Sequence, residues 1–118
     1  MIPEYWKQFI ESNGLIGQDF EINESSDLSE LGADLRIMTI EQCLLEATEC
    51  YPGIAAVKKS YVPVAMCLEG SGDYYYINSN EGRSGALYRV YHDSLDGEQL
   101  SKSSVDKVLE NYETLLSD

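Results

Sequence analysis

A chain of 118 residues with 43% hydrophobic side chains and a formal charge of -13 is sized for one domain, residues 1–118, that buries about two-thirds of the surface its unfolded chain would expose. Such acidity is repelled by nucleic-acid phosphates and by anionic membrane surfaces, so neither is expected as a partner, and a macromolecule engaged through charge should be basic. The longest apolar runs fall far short of the ~20 residues a bilayer span needs.

The first residues, MIPEYWKQ, lack the basic-then-apolar layout of a signal peptide, so the expected location is cytoplasmic. Cys43, Cys50 and Cys67 are odd in number and stand in no metal-type spacing, which argues for reduced thiols buried as small hydrophobes. Eleven of the 21 carboxylates lie in residues 1–50, against only Lys7 and Arg36 there. Solubility alone is a sufficient use for such a charge.

In chain order, Pro3 at a first helical position precedes Trp6, Phe9 and Ile10, one apolar stripe at i, i+3, i+4, and Asn13-Gly14 supplies the stop. Core packing is the expected use of Trp6. Phe20 and Ile22 alternate as a short edge strand, and Asn23 to Gly32 reads as a polar, acidic loop. Leu35–Met38 is a strand candidate. Thr39 with Gln42 forms a capping box for a second helix, whose face carries Cys43, Leu44, Ala47 and Tyr51 and which ends at Tyr51-Pro52-Gly53. Ile54–Ser60 shows no period and reads as a loop.

Three apolar or aromatic runs follow, Tyr61–Leu68, Tyr74–Ile77 and Ala86–Tyr91, separated by clusters of Gly, Ser, Asn, Asp and Glu. Connections this short cannot make a parallel crossover, so the runs should form an antiparallel meander. Strict alternation puts Val62, Val64, Met66 and Leu68 on one face and Tyr61, Pro63, Ala65 and Cys67 on the other. At the end, Ser103 or Ser104 is expected to cap a helix whose stripe is Val105, Val108, Leu109, Tyr112, Leu115 and Leu116. The class expected is α+β, a mostly antiparallel sheet with a central three-stranded meander flanked by amino-terminal and carboxyl-terminal helices.

Chemistry finds little purchase. The Glu69-Gly70-Ser71-Gly72-Asp73 turn joins two strands and carries two carboxylates, which disfavours phosphate, and positive φ in a tight turn explains Gly70 and Gly72. His92 is the single histidine, which removes a multi-histidine metal site, and a structural role is preferred to a catalytic pair with Asp93. Tyr74, Tyr75, Tyr76, Tyr88 and Tyr91 could stack bases, but the negative charge opposes it.

Trp6, the V-P-V-A strand at Val62–Ala65, the turn with Gly70, Gly72 and Asp73, and the G-x-x-Y-x-V-Y-H-D run from Gly85 to Asp93 together resemble the SUKH superfamily. That family includes fungal cell-wall-assembly regulators and many bacterial immunity proteins, and the resemblance spans nearly the whole chain. It implies an α+β domain flanked by helices, structural roles for Trp6, Gly70, Gly72, Gly85, Tyr91, His92 and Asp93, no catalytic centre, no cofactor or metal, and binding as the activity. In bacterial members the implied task is to bind and neutralise a cognate toxin, often a nuclease. A nuclease presents a basic cleft, so the acidic surface expected from Glu21, Glu24, Asp27, Glu30 and Asp34 is the first candidate contact. The meander rim, with Glu69 and Asp73, is the second. The competing reading is a regulatory or scaffolding module that binds a cellular protein or peptide; an enzyme ranks third.

Overall fold

Residues 1–116 are described by the structure, a computed structural model. The chain orders as α1 (Glu4–Ser12), β1 (Asp19–Ile22), β2 (Ala33–Ile37), α2 (Ile40–Glu49), α3 (Gly53–Val57), β3 (Tyr61–Cys67), β4 (Tyr75–Asn78), β5 (Leu87–Val90) and β6 (Val105–Leu109). Single 3-10 segments cover Gly82–Ser84, Lys102–Ser104 and Tyr112–Leu116. The six strands lie side by side in chain order and every neighbouring pair is antiparallel. The fold is therefore α+β, and the expected meander of β3, β4 and β5 is its centre.

Local signals account for most elements. In α1, Pro3 sits at the N-cap, and its carbonyl accepts from the Trp6 and Lys7 N–H groups. Trp6, Phe9 and Ile10 are buried, and the Asn13 side chain donates to the Phe9 carbonyl at the helix end. Trp6 packs edge-on against Tyr112, with ring centroids 5.1 Å apart. The capping box of α2 is complete: the Gln42 N–H donates to Thr39 Oγ1 and the Thr39 N–H to Gln42 Oε1. Only Cys43 and Ala47 of its expected face are buried; Leu44 and Tyr51 are exposed. Cys50 and Cys67 are half-exposed, so burial as a small hydrophobe holds for Cys43 alone.

Three expectations are corrected. Ile54–Ser60 is not simply a loop, because Gly53–Val57 forms α3 with Ala55 and Ala56 buried. A helix of five residues is too short to write a period, and close packing replaces it. The Gly53 Cα lies against the Glu46 carbonyl so tightly that a Cβ there would stand 1.9 Å from the oxygen.

The alternation along β3 also breaks. Partners across an antiparallel ladder share a face, and Val62 pairs with Ile77 whereas Ala65 pairs with Tyr75 and Ile37, with Cys67 opposite Leu35. The register shift between Pro63 and Ala65 moves Ala65 and Cys67 onto the face of Val62.

Finally, no carboxyl-terminal helix forms over Val105–Leu116. Val105–Leu109 is β6, paired with β5, and Tyr112–Leu116 is a 3-10 segment. A register shift between Leu87 and Tyr88 lets the adjacent Val108 and Leu109 both be buried, and the Tyr112 turn adds Tyr112 and Leu115 four and seven residues on from Val108. A bulged strand followed by a tight turn thus imitates a helical stripe.

The sheet curls until its edges face each other: the Leu28 N–H, in the loop after β1, donates to the Val108 carbonyl of β6. Inside the curl lies the main core, closed by α1 and the Tyr112 segment. On the opposite face Ala56, Tyr76, Tyr88 and Val90 form a smaller cluster.

The α2–α3 elbow yields the first prediction. Gly53→Ala should lower stability by about 2–3 kcal/mol through overpacking against the Glu46 carbonyl, measured as the urea midpoint against Gly70→Ala, where φ is not positive and no atom lies within 4 Å.

Candidate functional site

Four carboxylates meet at the mouth of the curl. Glu21 and Glu24 come from β1 and the turn after it, Asp34 from β2 and Glu69 from the turn that follows β3, and with Leu31 they line a shallow cleft of about 270 Å³. Glu21 pairs with Asp34 in the β1–β2 ladder, so the two side chains share a face. The pairing of β2 with β3 and the Leu68 N–H to Asp34 carbonyl bond deliver Glu69 to the same place. Glu69 Oε1 then accepts from the Asp34 N–H at 3.1 Å and from the Tyr75 hydroxyl at 3.3 Å.

Asp27 does not belong to this surface, contrary to expectation. It is 3% exposed and faces Arg89, itself 3% exposed on β5. Arg89 Nη2 lies 3.3 Å from Asp27 Oδ2 and donates to the Gly32 carbonyl and the Tyr75 hydroxyl, while Nη1 donates to Ser29 Oγ. Asp27 Oδ1 also accepts from the Ser29 N–H and hydroxyl. Burial alone would lower the guanidinium pKa, but its contacts with Tyr75 and Asp27 more than offset this, so the pKa is raised and the charge persists. Burial likewise pushes the Tyr75 phenol up to about 12, so Tyr75 keeps the proton it donates to Glu69.

Sequence reasoning missed Arg89, Leu28 and Leu31. Leu28 and Leu31 are 51% and 57% exposed, two apolar residues standing in the acidic loop beside the cleft. The available signals were apolar residues inside an otherwise polar stretch, and an arginine inside the apolar run Ala86–Val90. Glu30 is exposed in the same loop, with φ 68°.

The remaining candidates are dispersed. Asp73 is buried, and His92 Nδ1 lies 2.5 Å from Asp73 Oδ1, which also accepts from the His92 N–H. His92 therefore pairs with Asp73 rather than Asp93, which is exposed in the following turn. Tyr91 donates to Asp106 Oδ2 at 2.7 Å. Gly72 has φ 75°, as expected, but Gly70 has no positive φ and open space around it. Gly85 is buried where a Cβ would approach the Glu81 Cβ to 2.9 Å. Trp6 is fully buried in the core. Among the described residues no group of three or more His, Cys, Asp or Glu is placed to hold a metal ion, and no helix is long and apolar enough to cross a membrane. No family model, no curated protein and no solved structure matches the chain.

Two predictions follow from these contacts. Arg89→Met leaves Asp27 buried without its counter-charge and should cost about 3–5 kcal/mol; the double variant Asp27→Leu/Arg89→Met should recover part of that loss in urea unfolding. Asp73→Ala removes the acceptor of two His92 donors and should destabilise by about 1–3 kcal/mol, more than His92→Ala, which leaves Asp73 exposed to water. Equal losses in thermal melts would refute that order.

Proposed function

We propose that this chain is a non-catalytic protein-binding domain, an immunity protein of the SUKH type, that neutralises a basic, nuclease-type toxin made by the same or a neighbouring cell. The observation that carries the reading is the cleft of Glu21, Glu24, Asp34 and Glu69, lined also by the exposed Leu31, with Leu28 exposed in the same loop. Association surfaces commonly combine apolar anchors with a polar rim, and in the SUKH reading the rim mimics the charge of the nuclease's phosphate substrate.

The cleft carboxylates have no lysine or arginine within ion-pairing distance among the described residues, where the cations paired with acids are Lys7, Arg36, Arg89 and Lys107. Their charge is free for a partner. The half-exposed thiol near His92, that of Cys50, is held protonated because the Glu46 carboxylate raises its pKa, which opposes nucleophilic chemistry there.

The test is kinetic, and the partner is any nuclease found in a search of the neighbouring reading frames. Reversing Glu21, Glu24 and Asp34 to lysine should lower the association rate constant about tenfold or more at low ionic strength, and added salt should do the same to the parent chain. Leu31→Asp should act mainly on dissociation. Association indifferent to both salt and the reversals would reject this surface, and a stable complex with a cellular protein but with no nuclease would replace toxin neutralisation by a regulatory or scaffolding role.

A further inference from the structure

A second concavity lies on the other side of the turn that ends the acidic cleft. Glu69 faces the cleft, whereas Gly72 of the same turn faces a cavity of about 350 Å³ whose walls include Glu46, Cys50, Tyr51, Tyr74 and His92. We propose that this cavity receives an arginine side chain of the basic partner, with Tyr51 and Tyr74 against the guanidinium and Glu46 as its counter-charge. The inference deepens the reading above and rests on the partner being basic.

Three observations support it. First, Glu46 is half-buried, and among the described residues no lysine, arginine or histidine pairs with it. Burial raises the pKa of its carboxyl, and the carboxylate in turn raises that of Cys50, so the wall carries an acid that no lysine, arginine or histidine among the described residues pairs with.

Second, the hydroxyl of Tyr76 is an orphan. Tyr76 is 0% exposed and its hydroxyl has no hydrogen-bond partner among the described residues, a state that is unfavourable for a buried polar group. The ionisable groups that act on that hydroxyl are Glu46, Cys50 and Tyr74. All three line the cavity, and Tyr74 packs against the cluster that contains Tyr76.

Third, the chemistry of the walls selects the guest. Aromatic faces and acceptors without a free cation suit a planar group that carries only donors, stacks on tyrosine and pairs with a carboxylate. Guanidinium has that shape, whereas an ammonium is a compact, strongly hydrated point charge that gains less from the tyrosine faces. Tyr51 is held in place from outside, since its hydroxyl donates to Glu98 Oε2 at 3.2 Å.

The experiment uses the full chain and small probes, so it needs no toxin. N-acetyl-arginine amide titrated into the labelled protein should shift the amide resonances of Glu46–Tyr51 and Ser71–Tyr74, with affinity at least about fivefold above that of N-acetyl-lysine amide. Glu46→Gln should weaken arginine-amide binding about tenfold, the size expected for removing a charge-assisted hydrogen bond, and Tyr51→Leu should weaken it while leaving the melting temperature near that of the parent. The Glu21→Lys/Glu24→Lys variant should bind arginine amide as the parent does while associating slowly with the nuclease, which separates failure of the pocket from failure of the cleft. Shifts absent from these residues, or unchanged in Glu46→Gln, would overturn the assignment, and an equal response to lysine amide would overturn the choice of guanidinium.

Discussion

A guanidinium is tolerated inside a protein only when its charge is balanced and its N–H groups find acceptors, and Arg89 meets that condition by recruiting a loop that has no regular structure of its own. Asp27, Ser29 and the Gly32 carbonyl all turn inward to it. The residues between them are thereby turned outward, which is why Leu28, Glu30 and Leu31 are exposed. The same guanidinium lies 5.2 Å from the Tyr75 ring centroid and donates to the Tyr75 hydroxyl, which in turn donates to Glu69. One buried cation thus sets the outward face of the loop and the position of a cleft carboxylate contributed by a distant strand. The curl of the sheet depends on it as well, because the loop it holds is the one that reaches β6.

Where an element carried a complete local signal, the fold was legible. The capping box at Thr39 and Gln42, the Trp6 stripe and the Gly-rich separators of the meander all act within a few residues, and each appears in the structure. The failures occurred where a long-range contact overrode a local pattern. Val105–Leu109 had the spacing of a helix, but β5 offered an open edge, and pairing with it satisfies backbone groups that would otherwise face solvent or the core. The shift in β3 is of the same kind, since a bulge is an arrangement between two strands and leaves little mark on either sequence. For α3 the decisive contact is a glycine against a carbonyl from the preceding helix, again invisible to periodicity.

The site was legible in part, for a related reason. Charge density along residues 21–34 pointed to the acidic loop, and Glu21, Glu24 and Asp34 are indeed neighbours in space. What a linear reading misassigned was Asp27, chemically identical to its neighbours and distinguished only by an arginine 62 residues away. Glu69 was placed at a separate rim because β2 and β3 are divided in sequence by two helices, yet the ladder makes them adjacent. A carboxylate's role is set by what faces it, and that depends on the register between strands.

Unpaired carboxylates crowded at one place repel one another, and the free protein bears that cost when no internal cation is spent on them. The chain has cations it could have used. Lys7 and Lys107 instead make exposed i, i+3 pairs with Glu4 and Glu110, which contribute little, and Arg89 is sunk where it meets Asp27 and not the cleft. An arrangement that buries its strongest cation beneath the loop while leaving four carboxylates open above it keeps the loop rigid without neutralising its surface. Rigidity limits the ordering cost of association and open charge favours rapid encounter, so the same Arg89 that stabilises the curl also leaves the cleft able to attract a basic partner.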